Sequence, residues 1–363
     1  MAATDKDVHQ KRKAIQFCVA SGLVPYYEVK VNNVKDLTEK PELLTDVDVL
    51  GVAMDRGQIR RTVFDCKTTS TSPINRAFWA AGLKAYVGAE CAYVILKRVA
   101  PEAHKISART LGIYLFTESL FDAHASALSP NYAGDSDYLF SMERWHSLHA
   151  ALRVNAEFER LGLYLRDTVP LDPDAPKLVR GILGSLRLAQ GELDPAKRDH
   201  MAIYAFSVFS FAVAMSKVSR DIFDVFDPKQ SKEAFQGFLR DYIWGGREAY
   251  QLRKKLREVM KTRGDQAGQE FELHAWNEFV ELVRALLDSP ESVFQCCTPL
   301  LSCSLRFLGK PEKVLDETLK LQMSVNNRQR QFAFRLSAYL AKACELPREF
   351  DEQLKSNLNE VLA

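Results

Sequence analysis

Four charged side chains in one short stretch, Asp46, Asp48, Asp65 and Lys67, have the types and spacing to do chemistry. They lie in two apolar runs, Leu43–Met54 and Gln58–Lys67, on either side of an Asp-Arg-Gly turn, which is the pattern of a β-hairpin. Side chains two apart along a strand share a face, so Asp46 goes with Asp48 and Asp65 with Lys67, while Val47, Val49 and Cys66 point the other way. Carboxylates on a half-buried sheet are costly unless a cation compensates them, and hard oxygen ligands suit Mg²⁺ or Mn²⁺. The chemistry on offer is metal-assisted, with an ammonium beside the metal ligands.

The flanking sequence supplies elements to hold this hairpin. Asp5–Ala20 reads as a helix closed by Ser21-Gly22, and Tyr26–Val31 as a strand that a polar connection, Asn32–Pro41, joins to the hairpin. After it come a helix over Ser72–Val87, with Ser72 as cap and Pro73 in the first turn, and a strand over Cys91–Lys97. A short helix over Glu102–Arg109 and a strand over Leu111–Thr117 complete the order αβββαβαβ. Trp79 and Tyr86 are expected on the packed face of the helix that follows the hairpin.

Asp48 within VDVL, Asp65-Cys66-Lys67 beyond the turn and the helix after them resemble the PD-(D/E)XK (restriction-endonuclease-like) nuclease superfamily, over roughly the first third of the chain. The resemblance implies an α/β restriction-endonuclease-like core over residues 1–130 and hydrolysis of phosphodiester bonds in nucleic acid, DNA ahead of RNA. It implies Mg²⁺ or Mn²⁺ held by Asp48 and Asp65, with Lys67 orienting or activating the attacking water and stabilising developing charge. Arg76 and Lys84 on the following helix would touch phosphate. Arg60 and Arg61 would lie on opposite faces of the second hairpin strand, one of them toward nucleic acid.

Asp46 is the alternative to Asp48, because a tight turn centred on Asp55-Arg56 would bring it nearer Asp65. Asp48 is favoured as the deeper of the two in the apolar run, with a longer or bulged hairpin setting the register. Many relatives carry a metal-binding Glu on the first helix, where this chain has Lys11-Arg12-Lys13. That ligand is therefore absent, replaced by Asp7 or supplied by Glu28. The missing Glu, and Asp in place of Glu before the lysine, motivate a second reading: a nuclease-fold module that binds nucleic acid or assembles with protein without cleaving.

Over the whole chain, 363 residues and 47% hydrophobic content allow two or three domains with full cores. Lys and Arg number 49 against 47 acids, so any nucleic-acid surface must be local. Seven cysteines at irregular spacing without a CxxC pair argue against a zinc module or a disulfide framework and fit a reducing cytoplasm; Cys296, Cys297 and Cys303 read as buried filling. The amino-terminal residues lack the apolar core of a signal peptide, and the apolar run Ala202–Met215 is too short to span a bilayer, so no membrane role is expected.

Past the turn-rich Pro130–Asp137, strand signals nearly vanish, and residues 138–363 read as an all-α domain. One helix is expected over Ser141–Arg166, then others at about 174–190, 196–223, 231–262, 268–288, 291–308, 311–323, 327–344 and 348–361. Arg253, Lys254, Arg257 and Lys261 fall mostly along one helical face and form the candidate phosphate-binding stripe. His146 and His149, one helical turn apart without a third ligand, read as surface or satisfied histidines. Protein partners or self-association through this helical region remain open.

Overall fold

The structure, a computed structural model, describes residues 7–33, 42–68, 71–134, 136–227, 230–261 and 272–362. Most of the Asn32–Pro41 connection and the start of the 268–288 helix lie outside them. The first elements are α1 (Val8–Ala20), β1 (Val24–Asn32), β2 (Leu43–Asp55), β3 (Gln58–Lys67), α2 (Pro73–Tyr86), β4 (Cys91–Leu96), α3 (Glu102–Thr110) and β5 (Ile113–Thr117). They form one five-stranded sheet in the order β1-β2-β3-β4-β5. The first three strands are antiparallel, and β3, β4 and β5 are parallel, joined by the crossover helices α2 and α3.

The hairpin turn fixes the register. Arg56 and Gly57 both have positive φ, 48° and 79°, the geometry of a two-residue turn whose twist suits a hairpin. Asp55 is thereby paired with Gln58, and the ladder runs from there to Val49 opposite Phe64. Continued one residue further, that register would face Asp48 with Asp65, so a tight turn centred on Arg56-Gly57 does what the sequence reading assigned to a longer or bulged hairpin. The ladder stops at Val49 and Phe64, however. Beyond this pair β2 stays with β1, Val47 opposite Val29 and Asp46 opposite Lys30, whereas β3 stays with β4, Asp65 opposite Val94 and Lys67 opposite Leu96. The sheet forks where its acids begin.

Packing holds both arms of the fork. On one side α1 places Phe17 against Phe64, Tyr93 and Phe121 at ring-centroid distances of 5.8, 5.3 and 5.5 Å. Phe121 belongs to α4 (Glu118–Leu128), a helix the sequence reading passed over. Trp79 is partly buried as expected, but Tyr86 is half exposed and donates its hydroxyl to the Asn32 carbonyl. Ser72 holds the cap position of α2 without a side-chain capping bond.

The remaining elements are helical throughout the described residues. They are α5 (Met142–Ala151), α6 (Ala156–Leu163), α7 (Ala175–Leu188), α8 (Arg198–Val225), α9 (Lys232–Ile243), α10 (Arg247–Lys261), α11 (Trp276–Leu286), α12 (Pro290–Gln295), α13 (Cys297–Phe307), α14 (Lys313–Ser324), α15 (Asn327–Ala343) and α16 (Arg348–Leu362). The helix expected over Ser141–Arg166 is two, because Asn155 caps α6 by accepting the Phe158 N–H at 2.8 Å. That expected over 231–262 is also two, separated by Gly245 and Gly246, whose φ of 87° and 102° no helix accommodates. α8 alone among the described residues is long and apolar enough to cross a bilayer, and 94% of its apolar window is buried inside the protein, as in the core helix of a soluble protein.

Sheet and helices share one continuous apolar core. Tyr26 of β1 packs on Phe209 of α8 with ring centroids 5.4 Å apart, and the Lys30 N–H donates to Asp167 Oδ1 at 2.9 Å. Arg61, 7% exposed, donates from Nε to the Pro170 carbonyl at 2.6 Å and from Nη2 to that of Leu171 at 3.1 Å. Within Pro130–Asp137 the last residue is buried, its carboxylate accepting from the Leu139 N–H, Ser302 Oγ and Gln322 Nε2.

Candidate functional site

Where β2 and β3 part, Asp48 takes over as the backbone's partner: its Oδ2 accepts the Cys66 N–H at 2.7 Å. Lys67 Nζ lies 3.7 Å from Asp48 Oδ2 and 3.5 Å from Asp65 Oδ1. The three residues singled out from the sequence thus converge, two from the arm of β3 and one from the arm of β2. Asp46 does not join them; it is exposed near the outer end of β2.

Other elements close the fork. Arg76, in the first turn of α2, grips both oxygens of Asp65, Nε donating to Oδ2 at 2.5 Å and Nη2 to Oδ1, while its guanidinium stacks 3.5 Å from the Trp79 ring centre. From α1, Asp7 Oδ1 accepts the Thr68 N–H at 2.9 Å, which ties the helix start to the end of β3. Lys11 enters from the β1 side, its Nζ 2.9 Å from Glu28 Oε1 and 3.6 Å from Asp48 Oδ1. On α5, His149 Nδ1 stands 3.9 Å from Glu28 Oε2, and His146 Nε2 is 3.0 Å from the Tyr27 hydroxyl. His146 is thus a satisfied residue, and His149 is buried beside the acids.

Burial sets the charge states. It pushes the Asp48 carboxyl up to about 6, against the opposing pull of Lys67 and the Cys66 N–H. For Lys67, burial alone would lower the pKa, but Asp48 and Asp65 outweigh it and hold the ammonium above its ordinary value. Lys67 is therefore a cation at neutral pH in the metal-free protein. His149 is pushed well below its usual range by burial, with Arg166 and Arg153 adding to the effect, so it is a neutral imidazole.

The remaining sequence candidates lie elsewhere. Lys84 is at the other end of α2 from Arg76, a rise of about 12 Å, and donates to the Glu90 carbonyl. Arg61 is committed to the helical region, and Arg60 pairs with Asp55 and Glu90 at 2.7 and 2.8 Å. Arg253 and Lys254 are exposed on α10, which packs against α9, and Arg253 lies over the Trp244 ring at 5.5 Å. The side chains of Arg257 and Lys261 fall outside the described part of the chain. Sequence reasoning missed Lys11 as a member of the site. The signals available were its place one turn after Asp7, on the helix leading into β1, and the Lys11-Arg12-Lys13 run already noted where a glutamate was expected.

Among the described residues no group of three His, Cys, Asp or Glu side chains is arranged to hold a metal ion. What the fork offers is a pair of carboxylates, which is the donor set Mg²⁺ uses when substrate phosphates and water complete its shell. The unfavourable burial of ionised Asp48 suits the same purpose. Arg76 takes one acceptor site on each oxygen of Asp65, so a metal there would share the carboxylate with Arg76 or displace it. Comparison of the chain with protein-family models, with curated proteins and with solved structures gives no match.

Proposed function

We propose that this protein is a divalent-metal-dependent nuclease of the PD-(D/E)XK type, hydrolysing phosphodiester bonds in nucleic acid, with DNA as the first substrate to test. The observation that carries the reading is the Lys67 ammonium, 3.7 Å from Asp48 and 3.5 Å from Asp65 at the fork. The element order αβββαβαβ, the superfamily's core plus a common extension, supports it. Mg²⁺ or Mn²⁺ held by Asp48 and Asp65 would supply Lewis-acid polarisation of the scissile phosphate and a more acidic bound water.

The protein's own groups do the rest. Lys67, cationic and flanked by both ligands, donates hydrogen bonds to the attacking water and stabilises the charge that builds on the phosphoryl oxygens. Arg76, displaced from Asp65, keeps its guanidinium on Trp79 at the mouth of the fork, within reach of a neighbouring phosphate. A reducing compartment such as the cytoplasm fits the seven free cysteines, six of them buried.

One observation favours a second reading. With both oxygens of Asp65 gripped by Arg76, the fork is charge-compensated by the protein itself, which suits a module that binds nucleic acid without cutting it. Cleavage of single- and double-stranded DNA and RNA, with Mg²⁺, Mn²⁺ or EDTA, separates the two. Metal-dependent cutting that Asp48→Asn and Lys67→Ala both eliminate supports the nuclease. Tight, metal-independent binding with no product on any substrate supports the module.

A further inference from the structure

We infer that the ammonium of Lys11 occupies the place of a second metal ion, so that the fork takes one divalent cation per chain. The inference rests on the reading that Asp48 and Asp65 hold a divalent cation. It adds what limits the number to one.

Lys11 is 5% exposed, and its Nζ lies between two carboxylates from adjacent strands, 2.9 Å from Glu28 Oε1 and 3.6 Å from Asp48 Oδ1. It also lies over the Tyr27 ring, 5.4 Å from the centroid. Asp48 therefore has an ammonium beside each oxygen, Lys11 at Oδ1 and Lys67 at Oδ2. The two are not equivalent. Lys67 stands between Asp48 and Asp65, on the side where those two carboxylates converge. Lys11 stands between Asp48 and Glu28, the two carboxylates beside which a second cation would sit.

Glu28 is built for this contact. In the register of β1 with β2 it falls opposite Asp48, between the pairs Tyr27–Val49 and Val29–Val47, yet its φ is 50°. A left-handed residue other than glycine inside a strand is strained and persists where its surroundings over-determine it. Here the Lys11 ammonium holds one of its oxygens at 2.9 Å. A divalent ion in the same place would meet the Lys11 charge at contact distance, and Lys11 is enclosed by α1, β1 and β2. A compact monovalent ammonium satisfies Glu28 and Asp48 at no cost in metal.

The test counts metal. Mn²⁺ binding is measured on the full chain by electron paramagnetic resonance and calorimetry, alone and with a non-cleavable short DNA duplex. Wild type is expected to bind one Mn²⁺ per chain and Lys11→Arg also one, because the cation is kept. Lys11→Gln, checked for folding by circular dichroism, is expected to bind two, with Glu28 and Asp48 holding the second. A mere packing role for Lys11 would lower stability without adding an equivalent. Two ions in wild type, or one in folded Lys11→Gln, overturns the inference and leaves the nuclease reading intact. No Mn²⁺ in wild type, with or without the duplex, overturns both. Should Lys11→Gln fail to fold, Lys11→Met, which keeps the length of the side chain and removes its charge, takes its place with the same two outcomes.

Discussion

Asp48 and Cys66 are joined across the gap in the sheet by a side-chain carboxylate accepting a backbone N–H at 2.7 Å, where a β ladder would have used a carbonyl. This bond lets the two hairpin arms separate without leaving a buried donor unpaired. It also holds Asp48 among cations, not out in solvent.

The charge of Asp48 makes stability depend on pH. Its folded pKa of about 6 lies above the ordinary 3.8, so the folded state holds this proton more tightly than the unfolded chain does. The contribution is fully present below about pH 4, is lost as pH rises through about 6, and amounts to roughly 3 kcal/mol. Denaturant titrations between pH 4 and 8 are expected to show this slope in wild type and lose it in Asp48→Asn, which should be the more stable protein at pH 7. Mn²⁺ affinity should fall as pH drops through about 6. An identical slope in Asp48→Asn would assign it to other groups.

Lys67→Ala is expected to reduce single-turnover cleavage by at least about 100-fold while duplex binding and Mn²⁺ affinity change little, since the ammonium acts on the reacting groups and not as a ligand. The readouts are a quenched-flow rate and a fluorescence-anisotropy titration. Wild-type cleavage in this variant would remove Lys67 from the mechanism.

Arg76 competes with metal for Asp65. Without divalent ions, Arg76→Ala takes the bidentate partner from buried Asp65, leaving Lys67 at 3.5 Å as its remaining cation, and should destabilise the protein by up to about 3 kcal/mol. Added Mn²⁺ is expected to restore most of that loss, and the variant should bind Mn²⁺ more tightly than wild type. Thermal melts with and without Mn²⁺ check both; a melt that ignores Mn²⁺ would mean that Asp65 is not a metal ligand.

Asp46→Asn serves as the internal comparison. Because Asp46 is exposed and outside the fork, its substitution should leave Mn²⁺ affinity and melting temperature within error of wild type. Loss of metal binding would transfer the ligand role to it.

Arg61→Ala tests the union of sheet and helices. It leaves the buried carbonyls of Pro170 and Leu171 without their donor and should cost about 2–3 kcal/mol in urea unfolding. A chain cut near residue 135 uncovers Tyr26 and Arg61 and is expected to aggregate. A soluble, cooperatively folding fragment would show that the sheet stands without its helices.

The order αβββαβαβ was legible because each element is announced locally, by alternation in the strands, glycine at the end of α1 and proline at the start of α2. Register was less so. A turn centred on Asp55-Arg56 brings Asp46 to Asp65, whereas one centred on Arg56-Gly57 brings Asp48 there, and the left-handed φ of Gly57 decides between them. The fork was not legible, since it arises when β1 and β4 each claim one arm of the hairpin. Nor were the roles of Lys11 and His149, which reach Glu28 from 17 and 121 residues away in sequence. The breaks at Asn155 and Gly245-Gly246 carried local signals that the surrounding apolar periodicity masked.

The forked hairpin works as a pair of tongs. Its handles are the paired halves of β2 and β3 that end in the Arg56-Gly57 turn, its pivot is the fully buried Val49–Phe64 pair, and its jaws are the tails carrying Asp48 and Asp65. Each jaw is clamped to a different neighbour, β1 with the helices behind it on one side and β4 on the other. Phe17 and Tyr93 pack on Phe64 at the pivot, so the position of the β3 jaw follows the ring packing there as well as the charges between the jaws. A change of ring size at Phe64, out of reach of any metal or phosphate, would alter the bite of the jaws.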